Sequence, residues 1–364
     1  MSSVASSQVL APSGISAKKS VVLQTSIAAM LCVGIALYFW VDSRYPSLLK
    51  KLHSGKGIHI SGALSFDALM PVKSDMSLAT RIAHTTVNWM YTNRIGMTFG
   101  ICFGAAALTL LPLLPRRRFR NEFANTLAGA ATGVPLGVCA NCAAPVGQSL
   151  YQAGAAPATV LATMISSPTL NVVVLAMMFA LFPFPVALLR LATPLVLIAL
   201  VPWLTRRVQP IDVSCDVPQS AGWLRPTADA FKQYFVNLGK LALTTVPLMI
   251  LAGVLGALLV ELAPARDIPT SVSVVGIVLL ALIGAFLPVP IAFDVAASFL
   301  LLSRGVPLPY VVTLLCTLGA YSVYSLLILG RTISWKTALS VYGAVALVGA
   351  VAGLGTAVVQ AAIP

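Results

Sequence analysis

The stretch 123–189 carries no Asp, Glu, Lys, Arg or His, yet Pro135, Gly137, Pro145, Gly154, Pro157 and Pro168 interrupt it. About a quarter of an ordinary soluble domain is charged, so a run of this length without one ionisable side chain belongs in a membrane. Lipid cannot satisfy open backbone groups. A segment broken at that depth is therefore expected only where protein or a water-filled cavity covers it, and transporter binding sites are built in this way. Two thiols, Cys139 and Cys142, lie between these breakers.

The rest of the chain is consistent with this: 58% of its 364 residues are hydrophobic, 9% are charged, and the mean hydropathy is +0.93. A net charge of +13 would suit a nucleic-acid partner, but no solvated basic domain exists to carry it. Short cytoplasmic loops that collect Lys and Arg explain it better. Five of the six cysteines, all but Cys215, sit in apolar segments, which argues against a secreted disulfide framework. No phosphate-cradling loop is present, and the three histidines (His53, His59, His84) share one polar segment without a membrane carboxylate beside them.

Spans of about twenty apolar residues divide the chain. Residues 1–20 form a cytoplasmic tail ending in Lys18-Lys19, and 21–41 the first transmembrane helix, which resembles a signal anchor. An external polar loop, 42–94, follows, with 78–89 read as a helix on the membrane surface. The first transmembrane repeat is 95–204, the cytoplasmic linker 205–230 and the second repeat 231–364. The basic run 116–120 and the pair Arg206-Arg207 mark the same side, so an even number of crossings separates them. Of the apolar blocks between them, 157–181 and 186–204 each cross once. The block 123–152 must then enter and return, as a re-entrant hairpin with Pro135, Gly137 and Pro145 near its tip; the alternative is one kinked spanning helix.

The second repeat follows the same plan upside down: 235–262, then 271–303 broken at Pro288-Val-Pro290 and carrying Asp294, then 307–329 and 338–359. Counted from Gly154 and Gly305, Asp294 falls opposite Ala143. The fold class expected is an all-α polytopic membrane protein with 7 to 9 membrane segments, an inverted repeat and two broken or re-entrant hairpins, with the site where the broken elements meet.

The run Gly133-x-Pro135…Cys139-x-x-Cys142-x-x-Pro145, then Leu150-x-x-x-Gly154 and Met164-Ile-Ser-Ser-Pro168-Thr-Leu-Asn171, resembles the predicted permeases grouped with the arsenic-efflux permease ArsP and YraQ-like permeases. The likeness is specific over 129–194. It implies a permease, in that family one associated with trivalent organoarsenicals. Where the family commonly has a Cys-Ser-Cys-Gly tip, this chain has Cys-Ala-Asn-Cys, which sets its sulfurs one residue further apart.

Independently of any likeness, two thiolates at a helix break suit a soft centre such as Cu(I), Zn(II) or As(III), so Cys139 and Cys142 are candidate metal ligands. No third Cys or His lies near enough in sequence to complete a structural zinc site. Cys-x-x-Cys is equally a redox motif, with Cys316 as a partner thiol, and buried Cys also packs as a small hydrophobe. Asn141, Ser166, Ser167, Asn171 and Tyr321 are candidate solute ligands, with helix-to-helix hydrogen bonding or packing the plainer alternative. Tyr321, Ser322, Tyr324 and Ser325 form a stripe expected to close the cavity wall. Asp294, an ionisable group at membrane depth, is the candidate coupling residue; its alternative role is a structural ion pair with Arg190 or Lys240, both close enough to span ends to snorkel.

The function expected is a permease or secondary transporter, in the efflux direction, for a small thiophilic solute such as a metal, metalloid or organoarsenical. The alternatives are a membrane thiol-disulfide oxidoreductase using Cys139 and Cys142, or an accessory membrane subunit. No enzyme activity is expected of the transporter, no cofactor is certain, and a soft metal ion held by thiolates is the one candidate. The expected surroundings are a lipid bilayer, that of the bacterial inner membrane, with the N-terminus cytoplasmic. The expected partners are a small-molecule or ion substrate and, as an open alternative, a homo-oligomer; nucleic acid is not expected.

Overall fold

A computed structural model describes residues 14–47, 49, 69–73, 75–114, 118–211, 224–262 and 271–362, and all its regular elements are helical. His53, His59, Arg116, Arg117 and Cys215 lie outside the described residues. Helix α1 is Gly14–Phe39, continued by one wider turn, Trp40–Arg44.

Helix α2 runs unbroken from Leu78 to Leu110, capped by Ser77, whose side chain accepts the Thr80 amide. Residues 78–94, expected as loop and surface helix, are thus the first half of a long internal helix. Polar residues on its inward face find partners there, which is what makes their burial tolerable. The Thr86 hydroxyl donates to the Ile82 carbonyl at 2.8 Å, Asn93 Nδ2 donates to the Trp89 carbonyl at 2.8 Å, and the Trp89 indole donates to the Pro288 carbonyl.

Helices α3 (Glu122–Leu136) and α4 (Ala140–Gln152) are the two arms of the cysteine-bearing block. The chain breaks only between them, at Gly137, whose φ of +60° is one that L side chains rarely adopt. Pro135 lies in the last turn of α3 and Pro145 within α4, so neither proline is itself the break. The far ends of the arms lie together. Arg118 donates to the Gly154 carbonyl at 2.8 Å and to the Ile211 carbonyl at 2.7 Å, and the Tyr151 hydroxyl donates to the Gln209 carbonyl at 2.9 Å.

Helices α5 (Pro157–Thr169) and α6 (Val172–Leu181) form a pair bent by 41°, and α7 is Phe184–Thr205. The same order then recurs. A long α8 (Leu224–Leu262) leads to α9 (Val274–Phe286) and α10 (Phe293–Ser303), separated at Pro288 to Ala292. After these come α11 (Leu308–Thr317), α12 (Val323–Thr332) and a long α13 (Trp335–Ala362). Gly154 after α4 and Gly305 after α10 have φ of +86° and +82°. Counted from the helix caps Cys139 and Ala292, Asp294 takes the place of Asn141, not of Ala143. The two hairpins differ in length between cap and closing glycine, so counting from the glycines slips the register.

Among the described residues five helices are long and apolar enough to cross a membrane, six if the bent pair 157–181 is one span, and α9 to α12 are shorter apolar helices. The surface is oily, and polar side chains are gathered inside among the apolar core. Leu243, Phe184, Val275 and Leu347 are each more than 60% exposed, whereas Asn141, Ser166, Ser167, Ser298 and Thr313 are 0% exposed. In water this arrangement would be unfavourable on both counts; in lipid it is the stable one. The chain is an integral membrane protein.

Close helix approach is achieved with small residues, as lipid demands in the absence of a hydrophobic force between helices. Gly96, Gly100 and Gly104, one per turn of α2, lie against Cys142, the Cys142 carbonyl and Ser149 of α4. A side chain at Gly100 would meet backbone, which cannot swing aside. Gly100→Leu is therefore expected to cost about 1–3 kcal/mol or more and to lower the melting temperature in detergent clearly, whereas the same change at Gly239, where nothing lies within 4 Å, should have little effect.

Candidate functional site

Four broken or buried elements converge on the tip of the α3–α4 hairpin. Cys139 caps α4, its sulfur accepting the Cys142 amide at 3.3 Å, and the two cysteines are joined as a disulfide with Cα atoms 5.2 Å apart. The cap geometry brings the sulfurs together, because Cys142 sits one helical turn beyond the cap. In this oxidised state neither sulfur is a thiolate. Among the described residues no group of three or more His, Cys, Asp or Glu is placed to hold a metal.

Asn141, on the first turn of α4, joins both halves of the chain. Its Nδ2 donates to the Val289 carbonyl at 3.0 Å, in the break between α9 and α10, and its Oδ1 accepts from the Ser322 hydroxyl at 2.8 Å. Ser322 is the cap of α12, and Ser325 one turn later donates to the Ala140 carbonyl at 3.1 Å. From α2, Asn93 Oδ1 lies 4.0 Å from the Cys139 sulfur. Both hairpin breaks and the α11–α12 break therefore meet at one buried amide.

Ser167 belongs to this cluster, accepting the Val138 amide at 3.2 Å. Asn171 caps α6 through Oδ1, which accepts the Val173 amide at 2.8 Å, while its buried Nδ2 has no partner among the described residues and faces Gly137. Ser166 points elsewhere: its hydroxyl packs on Gly133 of α3. Tyr321 also turns away, donating to the Ala338 carbonyl on α13 at 3.2 Å, and Tyr324 reaches the Thr245 carbonyl on α8. Of the expected stripe, only the serines meet the tip.

Asp294 lies on the first turn of α10 and forms a buried ion pair with Arg190 of α7, Nη2 to Oδ2 at 3.0 Å, the two side chains 2% and 4% exposed. Arg190, expected to snorkel, turns inward because a carboxylate waits there. Lys240 is exposed. Gly319, at φ +74° in the break before α12, lies against the Asp294 side chain. Arg190 Nε and the hydroxyl of Ser298, one turn beyond Asp294, are buried without partners among the described residues. Cys316 is a free thiol in the apolar cluster around α10 and α11, separate from the cluster that holds Cys139 and Cys142, so it is not placed to exchange with that pair.

Sequence reasoning missed Asn93 and understated Arg190. The signal for the first was an Asn four residues after Trp89, on the same helical face; for the second, it was that an arginine at a membrane span is rare enough to imply a partner.

No protein-family model matches the chain, and no solved structure does. Among curated proteins it is similar to UPF0718 protein YraQ of Escherichia coli (strain K12), 28% identical over 265 residues that cover 70% of this chain and 74% of the relative.

Proposed function

We propose that this chain is a permease, a secondary transporter built as an inverted repeat, in which α3–α4 and α9–α10 are re-entrant hairpins and their meeting point is the solute site. The observation that carries the reading is Asn141, which ties one broken element to the other and to the cap of α12 in a fully buried polar cluster. Such a junction is costly in a protein that only packs, since each polar group there must find its partner away from water. It suits one that moves its two repeats about a fixed site. Cys139, Asn141, Cys142, Ser167 and Asn171 would bind the solute. Asp294 would couple transport to a proton, released from or captured beside Arg190. The solute class is small and thiophilic, a metal, metalloid or organoarsenical met by the reduced dithiol, and the direction is efflux. The N-terminus would be cytoplasmic in a bacterial inner membrane.

A screen of soft-metal and metalloid salts for toxicity, with the gene deleted and overexpressed, tests the solute class. Protection by overexpression against at least one thiophilic salt is expected, and indifference to all of them would remove it. Topology is tested by single cysteines in an otherwise cysteine-free chain. One at Val213, outside the described residues, and one beside Lys336 should be labelled only from the cytoplasm; labelling of Val213 from outside would end the re-entrant model.

The disulfide favours a second reading, a membrane thiol-disulfide oxidoreductase that cycles Cys139 and Cys142 between bridge and dithiol by two electrons and two protons. Burial of both sulfurs below 5% exposure weighs against it, since exchange with another protein needs that protein's thiolate to reach one of them, whereas a small solute or a small reductant needs only a transient opening.

A further inference from the structure

We propose that the cavity between the end of α7 and the start of α13 binds a phosphate-bearing anion, supplied by an acidic lipid headgroup or by free phosphate. The inference is independent of the solute site. The cavity has a volume of about 590 Å³, within the size of ordinary ligand pockets. Arg206, Arg207 and Lys336 line it, with the hydroxyls of Ser334, Thr337 and Ser340, and among the described residues no Asp or Glu does. Three exposed cations gathered around one cavity raise its positive potential, which draws an anion to it.

The N-terminus of α13 adds to the positive potential. Ser334 caps this 28-residue helix, its hydroxyl accepting the Thr337 amide at 3.1 Å, and the aligned peptide dipoles place partial positive charge at that end. The depth is that of headgroups. Trp203, exposed at 60%, stacks beneath the Arg206 guanidinium, 5.1 Å from the ring centre, and Trp at a span end marks the membrane–water boundary. A basic pocket between membrane helices at headgroup level has the chemistry to hold an acidic lipid head.

Occupancy would matter beyond the pocket. Tyr151, which also lines it, donates to the Gln209 carbonyl and so ties the exit of α4 to the segment after α7. An anion here fastens together α7, α13 and the open end of the hairpin that carries Asn141.

The test uses the purified full chain in a neutral detergent, wild type against the triple variant Arg206→Gln/Arg207→Gln/Lys336→Gln. Thermal melting is followed while phosphatidylglycerol, phosphatidylcholine or inorganic phosphate is titrated at constant ionic strength. Phosphatidylglycerol should raise the wild-type melting temperature and phosphatidylcholine should not. The triple variant should need on the order of a hundredfold more phosphatidylglycerol, from about fivefold per cation. Inorganic phosphate acting on the wild type alone would assign the site to free anion as well; no response to it would assign the site to lipid. Should the triple variant fail to fold, Lys336→Gln alone must still weaken the response by about fivefold. Equal responses of wild type and variants, or none in the wild type to either anion, would overturn the proposal.

Discussion

Arg190→Met and Asp294→Asn should each destabilise the protein by about 3–5 kcal/mol, and the double variant should regain most of that loss. The pair is buried on both sides, at 2% and 4% exposure, so removing one partner strands a charge with no water to receive it. Removing both leaves two groups of near-native volume that need no counter-ion. Melting of the four proteins in detergent closes this cycle. The double variant also separates the two roles of Asp294, for it restores the fold without restoring the carboxylate. If Asp294 carries the coupling proton, the double variant should fold as the wild type does, exchange solute across the membrane, and fail to accumulate it against a gradient. Accumulation by the double variant, with the wild-type pH dependence, would show that the pair is structural only.

Loss of function without loss of fold is the result expected for Cys139→Ser and for Cys142→Ser. Serine nearly preserves the volume and keeps a cap for α4, but it is a poor ligand for a soft centre, so solute transport should fall by at least roughly 10–100-fold, as when support of a metal ligand is removed. Mild reductant should activate the wild type, because the bridge observed between the two sulfurs must open before either binds solute. Transport unchanged in both variants would make the pair a packing element. The redox alternative predicts a different trace: a mixed disulfide with a partner thiol, trapped when only one of the two cysteines is replaced.

Much of the architecture was legible from residue types alone. A charge-free stretch broken by Pro and Gly can settle only in a membrane and only under cover, which predicted both the broken elements and their burial. One broken element in each half followed from where the breakers fall; the further breaks, between Thr169 and Val172 and between Thr317 and Val323, lie inside segments expected to run as single spans. Local rules failed where several breakers compete. Pro135, Gly137 and Pro145 all promised a turn, but a proline is tolerated inside a membrane helix; Pro135 stands in the last turn, and its own carbonyl, left open by the helix end, accepts the Trp40 indole at 2.7 Å. Gly137 broke the chain because it alone takes a positive φ there without strain.

The site divides the same way. That Cys139 and Cys142 share a helix start, and that Asp294 needs a partner, are short-range or chemical facts contained in the sequence. Which of the two cations named as candidates, Arg190 or Lys240, pairs with Asp294 is not: Arg190 lies 104 residues away, and Asn141 meets Ser322 across 181. Tyr321 and Ser322 are adjacent in the chain yet serve α13 and the hairpin tip respectively. Residue chemistry by itself determined the solvent, the helices and the groups too costly to bury alone. Only the tertiary structure decided their pairing, because a buried polar group is satisfied by whichever partner the packing brings within 3 Å, and packing in lipid is set by small residues far apart in sequence.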